Sequence, residues 1–427
     1  MRSGWLWSSL PGRQALTALA LFALLVGCSP ATPQASPPAP SSPPSGGTPA
    51  APPTTSASAN PIRIGVPLDL TGGSAALGKS EQAGIEVALR QLNGRIAGRP
   101  VELAVLDTES VPESGLRVTR RLVEGNKVDL LVGYLLTPTA YAVRDFIHQS
   151  RIPTVMATAA SGLSREYKSP YIWRMTPSNF QQGYEPGAKY LQEKLGYKRI
   201  IFWGADYAAP HEIHRAVEAV YGANVIKTVW SPLNTMDYSP YLSTIRPGDA
   251  DAVAAAVFGA DGVRLVDQYH NAGLRMPVFG FGSFTSEDVL AGFSPQAVEG
   301  VQSSYSYCAS LVNAPNKEFV SLFRERTGDI PGDYAYSAYL ALLMMARAVD
   351  MTNGDVSDPE KIVDALAKVT LENTPTGQQS FDANQGWVTD FFWRTVEVVN
   401  GKAVNRCGDR IPQVIDPVRE FPTASGQ

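Results

Sequence analysis

The sequence predicts an α/β fold made of two doubly wound lobes, and three observations support this. A strand over Ile62–Leu68 runs into a glycine-rich turn and then into a helix over 79–92 whose apolar residues share one face. Strands and helices of this kind go on alternating as far as Gly292. The alternation also falls into two successive units of similar size, and a core of about 250 residues usually divides into domains. The alternative is one large open sheet.

The other elements follow from the same patterns. Short, continuously apolar runs such as 129–133 are typical of strands that are buried on both faces of a parallel sheet. Further strands are predicted at 101–107, 152–156, 198–203, 224–230, 251–258, 277–280 and 300–307. Helices are predicted at 112–125, 138–150, 208–220, 262–272, 316–326, 334–350 and 359–369. The chain should then form a hairpin over 385–399 and 402–405, because Asn400-Gly401 is the strongest short hairpin signal.

The first sixty residues predict export and anchoring. Arg2 and Arg13 flank an apolar run over 15–26, which is shorter than the roughly 20 residues of a bilayer span and fits the core of a signal peptide. The run ends in Leu-Val-Gly-Cys at 25–28, which resembles the lipobox of bacterial lipoproteins. The resemblance implies that residues 1–27 are removed and that Cys28 is lipidated. An ordinary signal peptide with a chance cysteine is the alternative.

Residues 28–60 consist almost entirely of Pro, Ser, Ala, Thr and Gly. Such a segment cannot bury enough apolar surface to offset its ordering entropy, so it predicts a disordered tether. A tether behind a lipid anchor would hold the folded part at the extracytoplasmic face of the membrane, in the periplasm or at the cell surface.

The bulk charge and the cysteines bear on partners and cross-links. A net charge of −4 and a pI of about 5.7 provide no basic surface for nucleic acid. Once Cys28 is set aside, Cys308 and Cys407 are the two remaining cysteines. A compartment outside the cytoplasm permits a disulfide between them, and two buried free thiols are the alternative.

The sequence offers little support for catalysis. His211 and His214 are spaced to share one face of a helix, but two histidines do not make a zinc site, and a solvated helix face is the expectation. The chain has no GxSxG, Walker or CxxC motif, and its Gly72-Gly73 turn lacks the spacing of a dinucleotide-binding loop. We therefore expect a protein that is not an enzyme and that holds neither cofactor nor metal.

Several strings, taken in order, carry a family resemblance. They are PLDLTG at 67–72 with Leu77-Gly78, VDLLVG at 128–133, YIWRMTP at 171–177, ADY at 205–207 and QYHNAG at 268–273. Together they resemble the type I periplasmic solute-binding proteins of ABC transporters, in the leucine/isoleucine/valine-binding branch, over residues 61–405. The resemblance implies two α/β lobes that are joined by three hinge crossovers, close on a small-molecule ligand and deliver it to permease subunits.

The same resemblance implies the domain boundaries. Lobe 1 would comprise 61–178 plus 308–384, and lobe 2 would comprise 179–307 plus 385–427. The crossovers would lie near 176–180, 302–307 and 385–387.

The resemblance also implies which residues contact the ligand. From lobe 1 they are Leu77, where the family often has an aromatic residue, Thr137 and Thr139 in a carboxylate-binding loop, Ala157, Thr158 and Ala159 in a small polar loop, and Tyr334 as a pocket wall. From lobe 2 they are Tyr207, which closes over the ligand, Asp261 and Ser283. The alternatives are that the two threonines only cap a helix and that the aromatic residues belong to the core. Arg174 matches a structural position, and Tyr305 and Tyr307 are expected to pack at the hinge.

The ligand class is left open by one departure from the family. The acid that pairs with the ammonium of an amino acid is missing from the matching loop, Gly280–Phe284, and Asp261 could replace it if its loop faces inward. Otherwise the ligand is an aromatic or aliphatic carboxylate or an amide, because an unpaired ammonium in a closed cleft costs on the order of several kcal/mol. The leading hypothesis is a binding protein for an ABC permease. A sensory module of the same fold and, less favoured, an extracytoplasmic hydrolase are the alternatives.

Overall fold

The computed structural model describes residues 60–178 and 181–416. The predicted signal peptide, the lipidated Cys28, the tether before Asn60 and the last residues of lobe 2 lie outside these ranges. Within them, no helix is long and apolar enough to cross a membrane.

Residues 60–178 form a six-stranded sheet with three helices. The elements are β1 (Ile62–Leu68), α1 (Ala75–Gln91), β2 (Arg95–Ile96), β3 (Arg99–Asp107), α2 (Pro112–Arg120), β4 (Leu130–Gly133), α3 (Thr137–Ser150), β5 (Thr154–Met156) and β6 (Ile172–Arg174). The strand order is β2-β3-β1-β4-β5-β6, and every neighbouring pair except β2–β3 is parallel. Because the strands are parallel, the helices that follow them begin along one edge of the sheet, which is where ligands bind in such folds.

Residues 181–416 supply the second sheet and the helices that return to the first. The elements from 181 to 305 are α4 (Gln181–Lys189), β7 (Ile200–Ala205), α5 (Ala208–Tyr221), β8 (Val225–Ser231), α6 (Ser239–Leu242), β9 (Ala252–Ala256), α7 (Gly259–Asn271), β10 (Val278–Phe281), α8 (Glu287–Leu290), α9 (Pro295–Val298) and β11 (Gln302–Tyr305). Those that follow are α10 (Ala314–Thr327), α11 (Asp333–Met351), α12 (Pro359–Leu366), β12 (Thr370–Thr374), β13 (Gly377–Phe381), β14 (Trp387–Val399) and β15 (Lys402–Val414). The second sheet has the order β12-β13-β14-β11-β10-β9-β7-β8, and β15 pairs with β14.

Each lobe has its own buried core, so the predicted fold of two α/β lobes is confirmed. In lobe 1 the helix α11 has 14 buried residues among its 19 and packs on α1 and the first sheet. The approach of α1 to α11 is close, because a Cβ atom on Gly84 would lie 2.0 Å from the carbonyl oxygen of Ala335. In lobe 2 the parallel strands β7, β9 and β10 carry buried side chains such as Trp203 and Phe279 on their two faces.

The strand β14 carries the chain from one lobe to the other. Trp387, at its start, packs in the core of lobe 1, whereas Val396, near its end, packs in the core of lobe 2. Trp387 lies within the third expected crossover, near 385–387. The hairpin between β14 and β15 turns at Asn400 and Gly401, which have φ values of 52° and 74°, and this matches the predicted turn.

The structure differs from the sequence prediction in several elements. The strand β15 runs to Val414 instead of ending at 405, and the β12–β13 hairpin, the short strand β6 and the helix α4 were not predicted. The helix α4 contains Gly183, Pro186 and Gly187, which are weak helix formers, so tertiary contacts stabilise it. Finally, Cys308 and Cys407 form the expected disulfide, which ties the segment after β11 to β15.

Candidate functional site

A cavity of about 370 Å³ lies between the two lobes. Its wall is rich in hydroxyl groups, which come from Ser74, Ser110, Thr137, Thr176 and Tyr334 of lobe 1 and from Tyr184, Tyr207, Ser283 and Tyr305 of lobe 2. Leu77, Leu135, Leu136, Phe258 and the alanines at 157 and 159 supply apolar surface. A cavity of this size and mixed lining suits one small organic molecule.

Six helices begin at this cavity, and in none of them does the side chain of the N-cap residue bond to the first turn. Residues at or next to the N-termini of α1, α2, α3, α5, α7 and α11 line the wall, and the N-cap residue of each makes no side-chain hydrogen bond to the helix. Away from the cavity, α10 and α12 are capped by Asn313 and Asp358, whereas the short helices α6, α8 and α9 have no such bond. In α11 the N–H groups of Asp333 and Tyr334 are bonded to the side chains of Ser286 and Asp288. The N-termini at the cavity carry the positive ends of helix dipoles, which attract an anion.

The lining lacks a cationic side chain: among the residues that the structure describes there, no Lys, Arg or His contributes to the wall. An anionic group of a ligand would therefore be held by main-chain N–H groups and hydroxyls. The helix α3 begins at this wall, where Leu136 and Thr137 are part of the lining.

Four tyrosines give the cavity its aromatic walls. Tyr184 and Tyr305 are hydrogen-bonded to each other through their hydroxyls, and the hydroxyl of Tyr334 lies 2.8 Å from the Oγ atom of Ser283 in the opposite lobe. Burial raises the pKa of all four tyrosines, Tyr207 included, so that they stay neutral and keep their O–H donors. Flat aromatic surfaces with hydroxyl edges suit a flat ligand that carries polar groups.

Eight of the ten residues predicted to contact ligand line the cavity, namely Leu77, Thr137, Ala157, Ala159, Tyr207, Asp261, Ser283 and Tyr334. Thr139 and Thr158 do not. Thr139 follows Thr137 by two helical positions, a rotation of about 200°, and its methyl group meets Gly115 of α2 instead. Thr158 is 1% exposed and faces away from the cavity, between two alanines that face it.

Tyr305 and Tyr307, both expected to pack at the hinge, lie in different surroundings. Tyr307 stacks on Tyr336 within the core of lobe 1, whereas Tyr305 is part of the cavity wall. Tyr184 was also missed, because it lies on α4, which the sequence did not predict. Arg174 has the expected structural role: it is buried and donates to the carbonyl oxygen of Thr176 at 2.6 Å.

Asp261 does face inward, but its carboxylate is already in use. Its Oδ2 atom accepts a hydrogen bond of 2.7 Å from the main-chain N–H of Asn234. Its Oδ1 atom is paired with the guanidinium group of Arg264, one helical turn further on. The side chain can therefore meet a ligand only as part of an ion pair.

Contacts between the lobes close the cavity on two sides. On one side Glu212 of α5 accepts a hydrogen bond of 2.8 Å from the hydroxyl of Tyr141 and one of 3.4 Å from the N–H of Ser161. On the other side the hydroxyl of Ser80 is hydrogen-bonded to Asp288. These hydrogen bonds join the two lobes on either side of the cavity.

The two histidines of α5 lie outside this cavity. His211 stacks on Trp230 and is hydrogen-bonded to Asp206. His214 is mostly buried, with its side chain 15% exposed and its ring against Phe202, so the expectation of a solvated face was wrong for it. Over the described ranges, no group of three or more His, Cys, Asp or Glu residues is arranged to hold a metal ion.

A family model described as periplasmic binding protein matches residues 61–402. The chain belongs to this family, in its type I branch. It is similar to an ABC transporter substrate-binding protein of Sphaerobacter thermophilus, with 33% identity and a TM-score of 0.77 over 83% of this chain and 99% of that one. It is also similar to a solute-binding protein of Rhodopseudomonas palustris solved with 4-hydroxybenzoate, with 25% identity and a TM-score of 0.76 over 84% and 99% of the two chains.

A curated relative adds a second ligand class to these comparisons. The Leu/Ile/Val-binding protein homolog 6 of Brucella melitensis is 27% identical over 78% of this chain and 87% of its own. The family model, the solved structures and this relative all describe extracytoplasmic solute-binding proteins, and the solved structures belong to ABC transporters. Small ligands such as amino acids and aromatic acids are within their range.

Proposed function

We propose that this chain is a lipid-anchored binding protein that captures a small organic carboxylate between its lobes and delivers it to an ABC permease. The observation that carries the proposal is the interlobe cavity onto which the N-termini of six helices converge. These termini provide N–H donors for a carboxylate. The surrounding hydroxyls provide further donors, and the interlobe contacts exclude water from the bound ligand.

An aromatic carboxylate fits this cavity better than an amino acid does. The tyrosines and Phe258 offer flat surfaces, and the similarity to the protein solved with 4-hydroxybenzoate supports the same class. A branched-chain or other amino acid is the competing ligand, which the similarity to the Leu/Ile/Val-binding homolog supports. It would need a free carboxylate for its ammonium, and Asp261 is engaged by Arg264.

Anchoring at the membrane rests on the sequence. The Leu-Val-Gly-Cys motif at 25–28 and the Pro/Ser-rich segment that follows support lipidation of Cys28. Mass spectrometry of the mature N-terminal peptide should find a lipid on Cys28, and a Cys28→Ser variant should be released from membranes. A sensory role is the alternative to transport, and a neighbouring gene for a kinase or a chemoreceptor would favour it.

The ligand can be identified by mass spectrometry of small molecules released from the purified protein, followed by a thermal-shift screen of aromatic acids and amino acids. A true ligand at a hundredfold excess over its Kd should stabilise the protein by about 2.7 kcal/mol. Thr137→Ala and Tyr207→Ala should each raise the Kd. Thr139→Ala is a matched control on the same helix and should leave the Kd unchanged. An unchanged Kd in both cavity variants would refute the site.

A further inference from the structure

Asp261 is the one carboxylate that lines the cavity within the described ranges. It lies in the first turn of α7 and is 5% exposed. In a cavity between two lobes, an ionised carboxylate is the group that would hold a ligand's ammonium, because an ammonium that loses hydration on binding needs a counter-charge. Whether the carboxylate of Asp261 is available or already paired therefore decides which ligand the cavity prefers, an amino acid or a carboxylate without an ammonium.

Arg264 pairs with this carboxylate from behind the cavity wall. It lies three residues after Asp261 on the same helix and pairs with its Oδ1 atom, but it is not part of the cavity lining. Its Nε atom also donates a hydrogen bond of 3.1 Å to the carbonyl oxygen of Thr235. The main-chain N–H of the neighbouring Asn234 donates a hydrogen bond to the Oδ2 atom of Asp261. The 234–235 loop and Arg264 thus hold each other in place around the carboxylate.

We infer that Arg264 is a specificity-determining residue, which neutralises Asp261 and so makes the cavity select carboxylates that lack an ammonium group. An ammonium that approached Asp261 would meet an ion pair of net zero charge, with the positive guanidinium close behind. Its desolvation would be left uncompensated. A ligand without an ammonium pays no such penalty, and its carboxylate is not repelled because Asp261 is already paired. This inference deepens the proposed function and rests on it.

Matched pairs of probe ligands isolate the effect. Leucine and 4-methylpentanoate differ only in the ammonium group, and so do tyrosine and 3-(4-hydroxyphenyl)propanoate, and phenylglycine and phenylacetate. For each pair, titration calorimetry gives the ratio of the Kd of the amino acid to the Kd of its partner. The wild-type protein should prefer the partner without the ammonium in every pair that it binds.

Arg264→Met should expose the charge of Asp261 and lower this ratio by about tenfold or more. Arg264→Lys keeps a positive charge at the same place and should keep the wild-type preference. In the double variant Asp261→Asn with Arg264→Met no charge remains, so the ratio should return towards the wild-type value. Circular dichroism of each variant checks that the fold is retained, and Asp261→Asn alone tests the carboxylate without removing the arginine.

Two results would overturn the inference. One is a ratio that is the same in Arg264→Met and in the wild type, and the other is a wild-type protein that already prefers the amino acids. If the wild type binds no member of any pair, the proposed ligand class fails and the inference fails with it. That outcome is distinguishable, because it is seen before any variant is made.

Discussion

Arg394 lies where the two lobes join, and replacing it with methionine should strongly destabilise the folded protein. Its guanidinium group is completely buried and pairs with Asp333, at the N-terminus of α11, at 2.6 Å. It also donates to the carbonyl oxygens of Gly282 at 2.7 Å and Tyr307 at 3.2 Å, and to the Oγ atom of Ser303 at 3.0 Å. One side chain on β14 of lobe 2 is thus bonded to a helix of lobe 1.

The size of the effect follows from what the substitution leaves behind. Asp333 is 1% exposed, and its Oδ1 atom has no hydrogen-bond partner among the described residues. Removing one partner of a buried ion pair costs about 3–5 kcal/mol, because the other charge remains buried without compensation. Burial already raises the pKa of Asp333, and Arg394 opposes that rise. Without Arg394 the carboxyl should take up a proton more readily, so the loss should be smaller at pH 5 than at pH 8.

Urea unfolding of the wild type, Arg394→Met, Asp333→Asn and the double variant measures this directly. The double variant should lose less than the sum of the two single losses, because it leaves no unpaired charge. The reasoning would be refuted by a loss below about 1 kcal/mol in Arg394→Met, or by losses that simply add.

Two further predictions concern stability. Burial raises the pKa of Glu287 from 4.5 to about 7, so the folded protein holds the proton of this carboxyl more tightly than the unfolded chain does. The stabilisation from this proton is complete below pH 4.5. About 3 kcal/mol of it is lost as the pH rises through 7. Glu287→Gln removes this loss, so the stability of the variant relative to the wild type should increase between pH 4.5 and 8, and a constant difference in urea unfolding would contradict the assignment. The disulfide between Cys308 and Cys407 closes a loop with a sequence separation of 99. Replacing both cysteines with serine should therefore lower the free energy of unfolding by about 2–5 kcal/mol. A midpoint of thermal unfolding equal to that of the oxidised wild type would count against this.

The site could be predicted in part, and the misses have identifiable causes. Thr137 and Thr139 look equivalent in the sequence, yet the helical rotation between them leaves only Thr137 in the cavity wall. The pairing of Asp261 with Arg264 did carry a local signal, since residues i and i+3 of a helix are neighbours. Tyr184 carried none, because α4 contains two glycines and a proline. A Cβ atom at Gly187 would lie 2.8 Å from the Oγ atom of Ser304, so close packing requires a residue that weakens the helix signal.

The sequence by itself determined most of the longer strands and helices, with most of their bounds to within a few residues, and the turn at Asn400-Gly401. These features depend on hydrophobic periodicity and turn chemistry, which act between residues close in the chain. Only the tertiary structure decided that Tyr305 faces the cavity, that Trp387 packs in lobe 1, and that Arg394 reaches Asp333. Those outcomes depend on how segments far apart in the chain pack together, and no local pattern encodes the direction in which each side chain then points.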